Sequence, residues 1–161
     1  PETMGSGCAF FDFNNDGHVD LLFVNSMTWP WDAAPKTPPT LALYQNDGTG
    51  KFTDVTEPTG LNLTQYGMGV AIADYDNDGW QDVFISSLGA NRLLHNAQGK
   101  FVDVTQTAGV AGGEGTWSSG CCWFDYDRDG DLDLFVANYV EWTRDFDESQ
   151  SFRLTGIGRA Y

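Results

Sequence analysis

Short apolar runs separated by acidic, glycine-bearing turns set the rhythm of this chain. Leu21-Leu-Phe-Val24, Val83-Phe-Ile85 and Leu132-Asp-Leu-Phe-Val136 are β-branched and aromatic stretches that read as strands rather than as faces of an amphipathic helix. The first two are apolar throughout, whereas a strand wet on one side would alternate, so both of their faces are expected to be covered. A glycine-rich strand precedes each run: Met4-Gly-Ser-Gly7-Cys-Ala-Phe-Phe11, Tyr66-Gly-Met-Gly69-Val-Ala-Ile-Ala73, and Ser118-Ser-Gly120-Cys-Cys-Trp-Phe124. After the first two runs comes a hairpin. Leu41 to Asn46 and Gly50 to Thr56 match Asn91 to Asn96 and Gly99 to Thr105, and Gly60-Leu61 and Gly109-Val110 close the units in step.

This is an internal repeat, and it sets the expected fold. Units of about fifty residues holding four short strands each, in tandem, are the sequence form of β-propeller blades. The chain is therefore expected to be all-β, a partial β-propeller of about two and a half blades of four-stranded antiparallel sheets. The units run over residues 4–61, 66–110 and, incomplete, 118–140, with an aromatic and proline-rich insert at 29–39 and a tail at 141–161 leading to a next blade. Propellers close with four to eight blades. A chain of 161 residues is thus expected to be a piece of a longer polypeptide, and alone it would leave apolar blade faces and strand edges uncovered and associate.

Between the first two strands of every unit stands the same nine-residue acidic phrase: Asp12-Phe-Asn14-Asn-Asp16-Gly17-His18-Val-Asp20, Asp74-Tyr-Asp76-Asn-Asp78-Gly79-Trp80-Gln-Asp82, and Asp125-Tyr-Asp127-Arg-Asp129-Gly130-Asp131-Leu-Asp133. Oxygen side chains at positions 1, 3, 5 and 9 with glycine at 6 suit a hard cation that takes six to eight oxygens at roughly 2.3 to 2.6 Å. An EF-hand begins alike but needs a bidentate Glu at position 12. Here that position holds Phe23, Ile85 and Val136, so an acid at position 9 stands in, and three Ca²⁺ sites are expected.

On these residues the chain resembles the FG-GAP/VCBS repeat group of calcium-binding propellers, and within it the cartilage acidic protein and ASPIC/UnbV branch, whose phrasing appears in Gly130 to Val140. The resemblance spans roughly Gly5 to Val140. It implies calcium ligation by the side chains of Asp12, Asn14, Asp16 and Asp20, of Asp74, Asp76, Asp78 and Asp82, and of Asp125, Asp127, Asp129 and Asp133. The main-chain oxygens of His18, Trp80 and Asp131 would complete the sites. Asn14 leaves the first site one charge short and is expected to weaken it.

Charge follows from the loops. Eleven of the 23 Asp and Glu are named ligands, and three divalent ions would bring the formal charge from −15 to −9. An acidic surface without clustered Lys or Arg argues against nucleic-acid binding, and no apolar run approaches membrane-spanning length. Calcium sites of this kind fill near millimolar Ca²⁺, which points to an extracellular, cell-surface or periplasmic setting.

No catalytic residue is assigned. His18 and His95 each have a place in the repeat, and no nucleophile or phosphate-loop motif occurs. Cys8 and Cys121 stand where Val70 does, and Cys122 where Ala9 and Ala71 do, so small buried core residues are expected. Trp29, Trp31 and Trp142 lie outside the repeat pattern and are candidates for a rim that anchors a protein or stacks on a sugar. The expected role is a calcium-stabilised, non-enzymatic scaffold for interaction or adhesion. Its partners would be the remaining blades of the same polypeptide, another protein chain or a glycan. The competing reading is a carbohydrate-binding or accessory module of a carbohydrate-active enzyme.

Overall fold

The computed structural model describes residues 5–28, 33, 35–113, 115–149, 153, 154, 158 and 159. Two four-stranded antiparallel sheets and the opening pair of a third follow one another along the chain as a partial β-propeller. The first sheet runs β1 (Cys8–Phe11), β2 (Asp20–Phe23), β3 (Ala42–Asn46), β4 (Phe52–Asp54), paired in that order. The second repeats the plan with β5 (Gly67–Ala73), β6 (Asp82–Ser87), β7 (Arg92–Asn96) and β8 (Phe101–Asp103). A single helical turn, α1 (Thr105–Ala108), leads on to β9 (Thr116–Phe124) and β10 (Asp133–Glu141), which pair with each other. A short helix, α2 (Arg144–Ser149), and the two-residue strands β11 (Arg153–Leu154) and β12 (Gly158–Arg159) complete the described elements.

Each acidic phrase connects the first and second strands of its sheet, and its ninth residue opens the second strand. Phe11 thus pairs with Asp20, Ala73 with Asp82 and Phe124 with Asp133. Behind the turns, a second device locks the third strand. Thr56 donates its N–H (3.0 Å) and its Oγ1 (2.7 Å) to Asp54 Oδ1, while the same hydroxyl oxygen accepts from the Leu43 N–H at 2.8 Å. Thr105, Asp103 and Leu93 repeat this bridge one unit later.

The core lies between sheets. Phe11, Leu22, Val24, Leu41 and Leu43 of the first unit meet Val83, Ile85, Leu94 and Phe101 of the second, with Leu61 wedged among them. Burying side chains of this size is worth about 1.5 to 3 kcal/mol each. Beyond the second sheet, Phe84 meets Trp123 edge-on at 6.2 Å, and Tyr75 stacks on the same indole at 5.9 Å. Having a sheet on either side, β6 is buried along its whole length, as the apolar run Val83–Ile85 at its centre demands. By contrast, β2 leaves Phe23 exposed, and Phe10 of β1 and Phe135 of β10 are 66% and 55% exposed. These side chains stand on faces against which no further sheet of the described residues packs.

That arrangement corrects the expectation for the cysteines. Cys8 and Cys122 are exposed and Cys121 is half-buried, all three free. The position shared by Cys8, Val70 and Cys121 faces the preceding sheet, which Val70 and Cys121 have and which Cys8 lacks among the described residues. Cys122 points the other way, to the uncovered side of the third unit.

Candidate metal centres

All three turns are wound by the same hydrogen bonds. The first carboxylate accepts the N–H groups of positions 5 and 6: Asp16 and Gly17 on Asp12 (3.1 and 2.8 Å), Asp78 and Gly79 on Asp74 (3.0 and 2.8 Å), Asp129 and Gly130 on Asp125 (both 3.2 Å). Position 5 accepts the N–H of position 7, that of His18, Trp80 or Asp131, at 2.9 Å each time. Position 6 has φ between +85° and +96°, which only glycine adopts without strain. Position 4 is left-handed as well: Asn15 and Asn77 suit that region, whereas Arg128 at φ +66° does not.

The structure gathers Asp74, Asp76 and Asp82 so that one oxygen of each lies within 4.8 Å of the others, and it does the same for Asp125, Asp127 and Asp133. In the first turn Asn14 donates its Nδ2 to Asp16 Oδ2 at 2.9 Å, so the amide is folded onto its acidic neighbour. That hydrogen bond is the leading reason Asp16 is held below the ordinary carboxylate range, with the His18 N–H second. The His18 ring itself lies over Gly48, where a Cβ would come within 2.5 Å of it.

The ninth residues differ most between turns. Asp20 and Asp82 are wholly inaccessible, whereas Asp133 is exposed. Burial pushes the Asp20 and Asp82 carboxyls up, against hydrogen bonds that favour their charged forms. Those bonds come from Phe13 and Asn46 (3.2 and 2.8 Å) and from Tyr75 and Asn96 (3.2 and 2.7 Å). Asp133 receives the Tyr126 N–H at 2.8 Å, but no third strand among the described residues flanks it.

Four side chains that bear on the turns were not singled out by the acidic pattern. Asn46 and Asn96, at the ends of β3 and β7, donate Nδ2 to the eighth-position carbonyls of Val19 (3.1 Å) and Gln81 (3.0 Å), clamping each turn to its own third strand. Asn96 Nδ2 also reaches Phe13 O at 2.8 Å, and Asn15 Nδ2 reaches Gly79 O at 3.0 Å, so adjacent turns are tied together. His95 leans into the middle acid cluster. The recurrence of Asn at the end of the third strand was the available signal for the clamp. Of the rim aromatics, Trp142 is half-buried, and Trp29 and Trp31 lie outside the described residues.

The donor chemistry fits a hard divalent cation. Buried and clustered carboxylates have no Lys or Arg partner among the described residues, and like charges at this spacing repel strongly without a counter-ion.

Comparison with known proteins agrees with the repeat geometry. The family model of FG-GAP-like repeats matches residues 12–85 and 74–136, overlapping windows that each begin at the first Asp of an acidic turn. Cartilage acidic protein 1 of Xenopus tropicalis is 35% identical over 103 residues, covering 60% of this chain and 15% of that protein. The Homo sapiens and Mus musculus proteins of the same name are each 28% identical over 148 residues, covering 86% of this chain and 21% of theirs. The chain therefore spans less than a quarter of the length of the curated relatives it matches.

Proposed function

The chain belongs to the FG-GAP-like repeat family, and from that premise we propose that it is a calcium-braced extracellular scaffold for protein interaction or adhesion, without catalytic activity of its own. The observation that carries this reading is Asp82, a carboxylate with no solvent exposure, converging with Asp74 and Asp76 on one point. Asp12, Asn14, Asp16 and Asp20, then Asp74, Asp76, Asp78 and Asp82, then Asp125, Asp127, Asp129 and Asp133 would hold the ions. Carbonyls of His18, Trp80 and Asp131 would assist. Calcium, when bound, would supply the positive charge that lets these acids remain ionised together.

The chain's own part is to pre-form the turns. Asp12 and Asp74 fix the loop backbone through two N–H groups each and Asp125 through three, and Asn46 and Asn96 hold two of the turns against their third strands. Binding to the folded state alone adds stability, about 2.7 kcal/mol per site at one hundred times the dissociation constant. Sites assembled from short exposed turns suit the millimolar Ca²⁺ outside cells. The surfaces available to partners are the uncovered sheet faces bearing Phe10, Phe23, Phe135 and Tyr139, which further repeat units or another protein would cover.

Calorimetric titration of the ion-free chain with Ca²⁺, with melting followed in Ca²⁺ and in chelator, tests the reading. Binding of up to three ions with a rise in melting temperature of several degrees is expected. A chain whose melting is indifferent to Ca²⁺ would end it.

A further inference from the structure

His95 sets the middle turn apart from the other two. Projecting from β7, it places Nδ1 3.2 Å from Asp82 Oδ1 and 3.4 Å from Asp76 Oδ2, with Nε2 3.9 Å from Asp78 Oδ2. Nδ1 is closed off from solvent, yet it has no hydrogen-bond partner. The ring is held edge-on to Tyr75 at 6.3 Å, and Tyr75 is in turn stacked on Trp123. One donor atom each of Asp76, Asp78 and His95 lies within 4.8 Å of the other two. In the first turn the same repeat position holds Gln45, whose Nε2 donates to Asp16 Oδ2 at 3.3 Å. An amide nitrogen has no lone pair to offer a metal, whereas a neutral imidazole has one.

A nitrogen and a carboxylate oxygen 3.2 Å apart, with no aligned hydrogen between them, are two electron-rich atoms facing a common focus. A cation at that focus turns their repulsion into attraction. The separations of 3.2 and 3.4 Å match the edge of a tetrahedron with zinc-length arms, about 3.4 Å for arms near 2.05 Å. From this the geometry points to a mixed nitrogen and oxygen site at the middle turn, which takes a borderline divalent cation of the zinc class through His95 Nδ1 and the carboxylates of Asp76 and Asp82. The inference rests on the acidic turns being cation sites, and it names a second metal class for one of them. Imidazole favours zinc, copper and nickel over calcium, while all-oxygen turns such as the first and third favour calcium. Zinc-class ions would therefore displace calcium at the middle turn and leave the outer two to calcium.

The test is a two-bond ¹H–¹⁵N spectrum of the histidine rings in the full chain, saturated with Ca²⁺ and titrated with Zn²⁺. One equivalent should carry the His95 Nδ1 resonance to its metal-bound position while the His18 ring stays unmoved. His95→Gln, which installs the residue of the first turn, should weaken Zn²⁺ at this site at least about tenfold, the loss already typical of an outer-shell partner. Calcium at the first and third turns should be unaffected by that substitution. A His95 Nδ1 resonance that stays put at saturating Zn²⁺, or an affinity unchanged in His95→Gln, overturns the inference. A chain that takes up no Ca²⁺ at any turn but still shows the Zn²⁺ shift would overturn the calcium reading and leave this one standing.

Discussion

The backbone N–H of Asn96 donates to Asp82 Oδ1 at 2.7 Å, which ties the last residue of the acidic turn to the last residue of the third strand. The Asn96 side chain closes the same corner, giving Nδ2 to Gln81 O and Phe13 O and receiving the Gly99 N–H on Oδ1 at 2.7 Å. Asn96→Ala keeps the backbone bond to Asp82 and removes all three side-chain bonds, so it isolates the clamp. Leaving buried partners unsatisfied is expected to cost about 2 to 4 kcal/mol. Asn46→Ala, which removes bonds at an exposed corner, should cost about 1 kcal/mol. Denaturant unfolding of both variants measures the difference, and equal costs would mean that the bond from Asn96 to Phe13, between neighbouring sheets, carries nothing.

Asp78 is exposed and, among the described residues, accepts one backbone N–H, that of Trp80, whereas Asp74 winds the turn through two N–H groups. Asp78→Ala should therefore lower calcium stoichiometry by one while the ion-free fold persists. Asp74→Ala should lower stoichiometry and also destabilise the ion-free chain, by about 1 kcal/mol for two hydrogen bonds lost at an exposed turn. Titration calorimetry paired with melting in chelator separates the two. If Asp78→Ala abolished binding at all three turns, the sites could not be treated as independent.

Much of this arrangement was legible in the sequence, because a turn of nine residues is local and its repetition fixes which strand follows which. The pairing of Phe11 with Asp20 and of Ala73 with Asp82 follows from turn length alone. What was not legible depends on residues far apart in the chain. The bond from Asn96 to Phe13 crosses 83 positions, and His95 enters the acid cluster only because β7 pairs with β6. Cys8 matches Val70 in the repeat but differs from it in exposure, since burial here is decided by the neighbouring sheet and not by the residue's own unit.

Asp54 provides a pH signature away from the turns. The Thr56 hydroxyl, then the Thr56 N–H, hold its carboxyl below the ordinary value of 3.8. A carboxyl whose pKa falls on folding contributes stability that is complete above the unfolded value and is lost as pH drops through the folded one. The stability gap between the parent chain and Asp54→Asn should accordingly be flat from neutral pH down to about pH 5 and shrink below 3.8. Unfolding measured at fixed calcium across that range checks it, and a gap that changes between pH 5 and 8 would place its origin elsewhere.

Gly67 sits at the irregular start of β5, against Val24 of the first unit. A Cβ there would clash with Val24 Cγ1, and Val24 is itself buried against the core. The carbonyl of Gly67 accepts from the hydroxyls of Ser6 (3.0 Å) and Ser26 (3.1 Å), so backbone retreat would break two further bonds. Gly67→Ala is therefore expected to destabilise by about 1 to 3 kcal/mol through overpacking. At Gly79 nothing lies within 4 Å of the added methyl, but φ is +89°, so Ala there should cost about 1 to 2 kcal/mol through backbone strain alone. The two mechanisms separate in a double-mutant cycle. Val24→Ala removes the clashing methyl and should recover part of the loss in Gly67→Ala, giving a coupling of about 0.5 to 3 kcal/mol, while leaving the cost of Gly79→Ala unchanged. Additive costs for Gly67 and Val24 would show that the strands part to admit a side chain, and that the close approach of the first two sheets is not what fixes glycine at position 67.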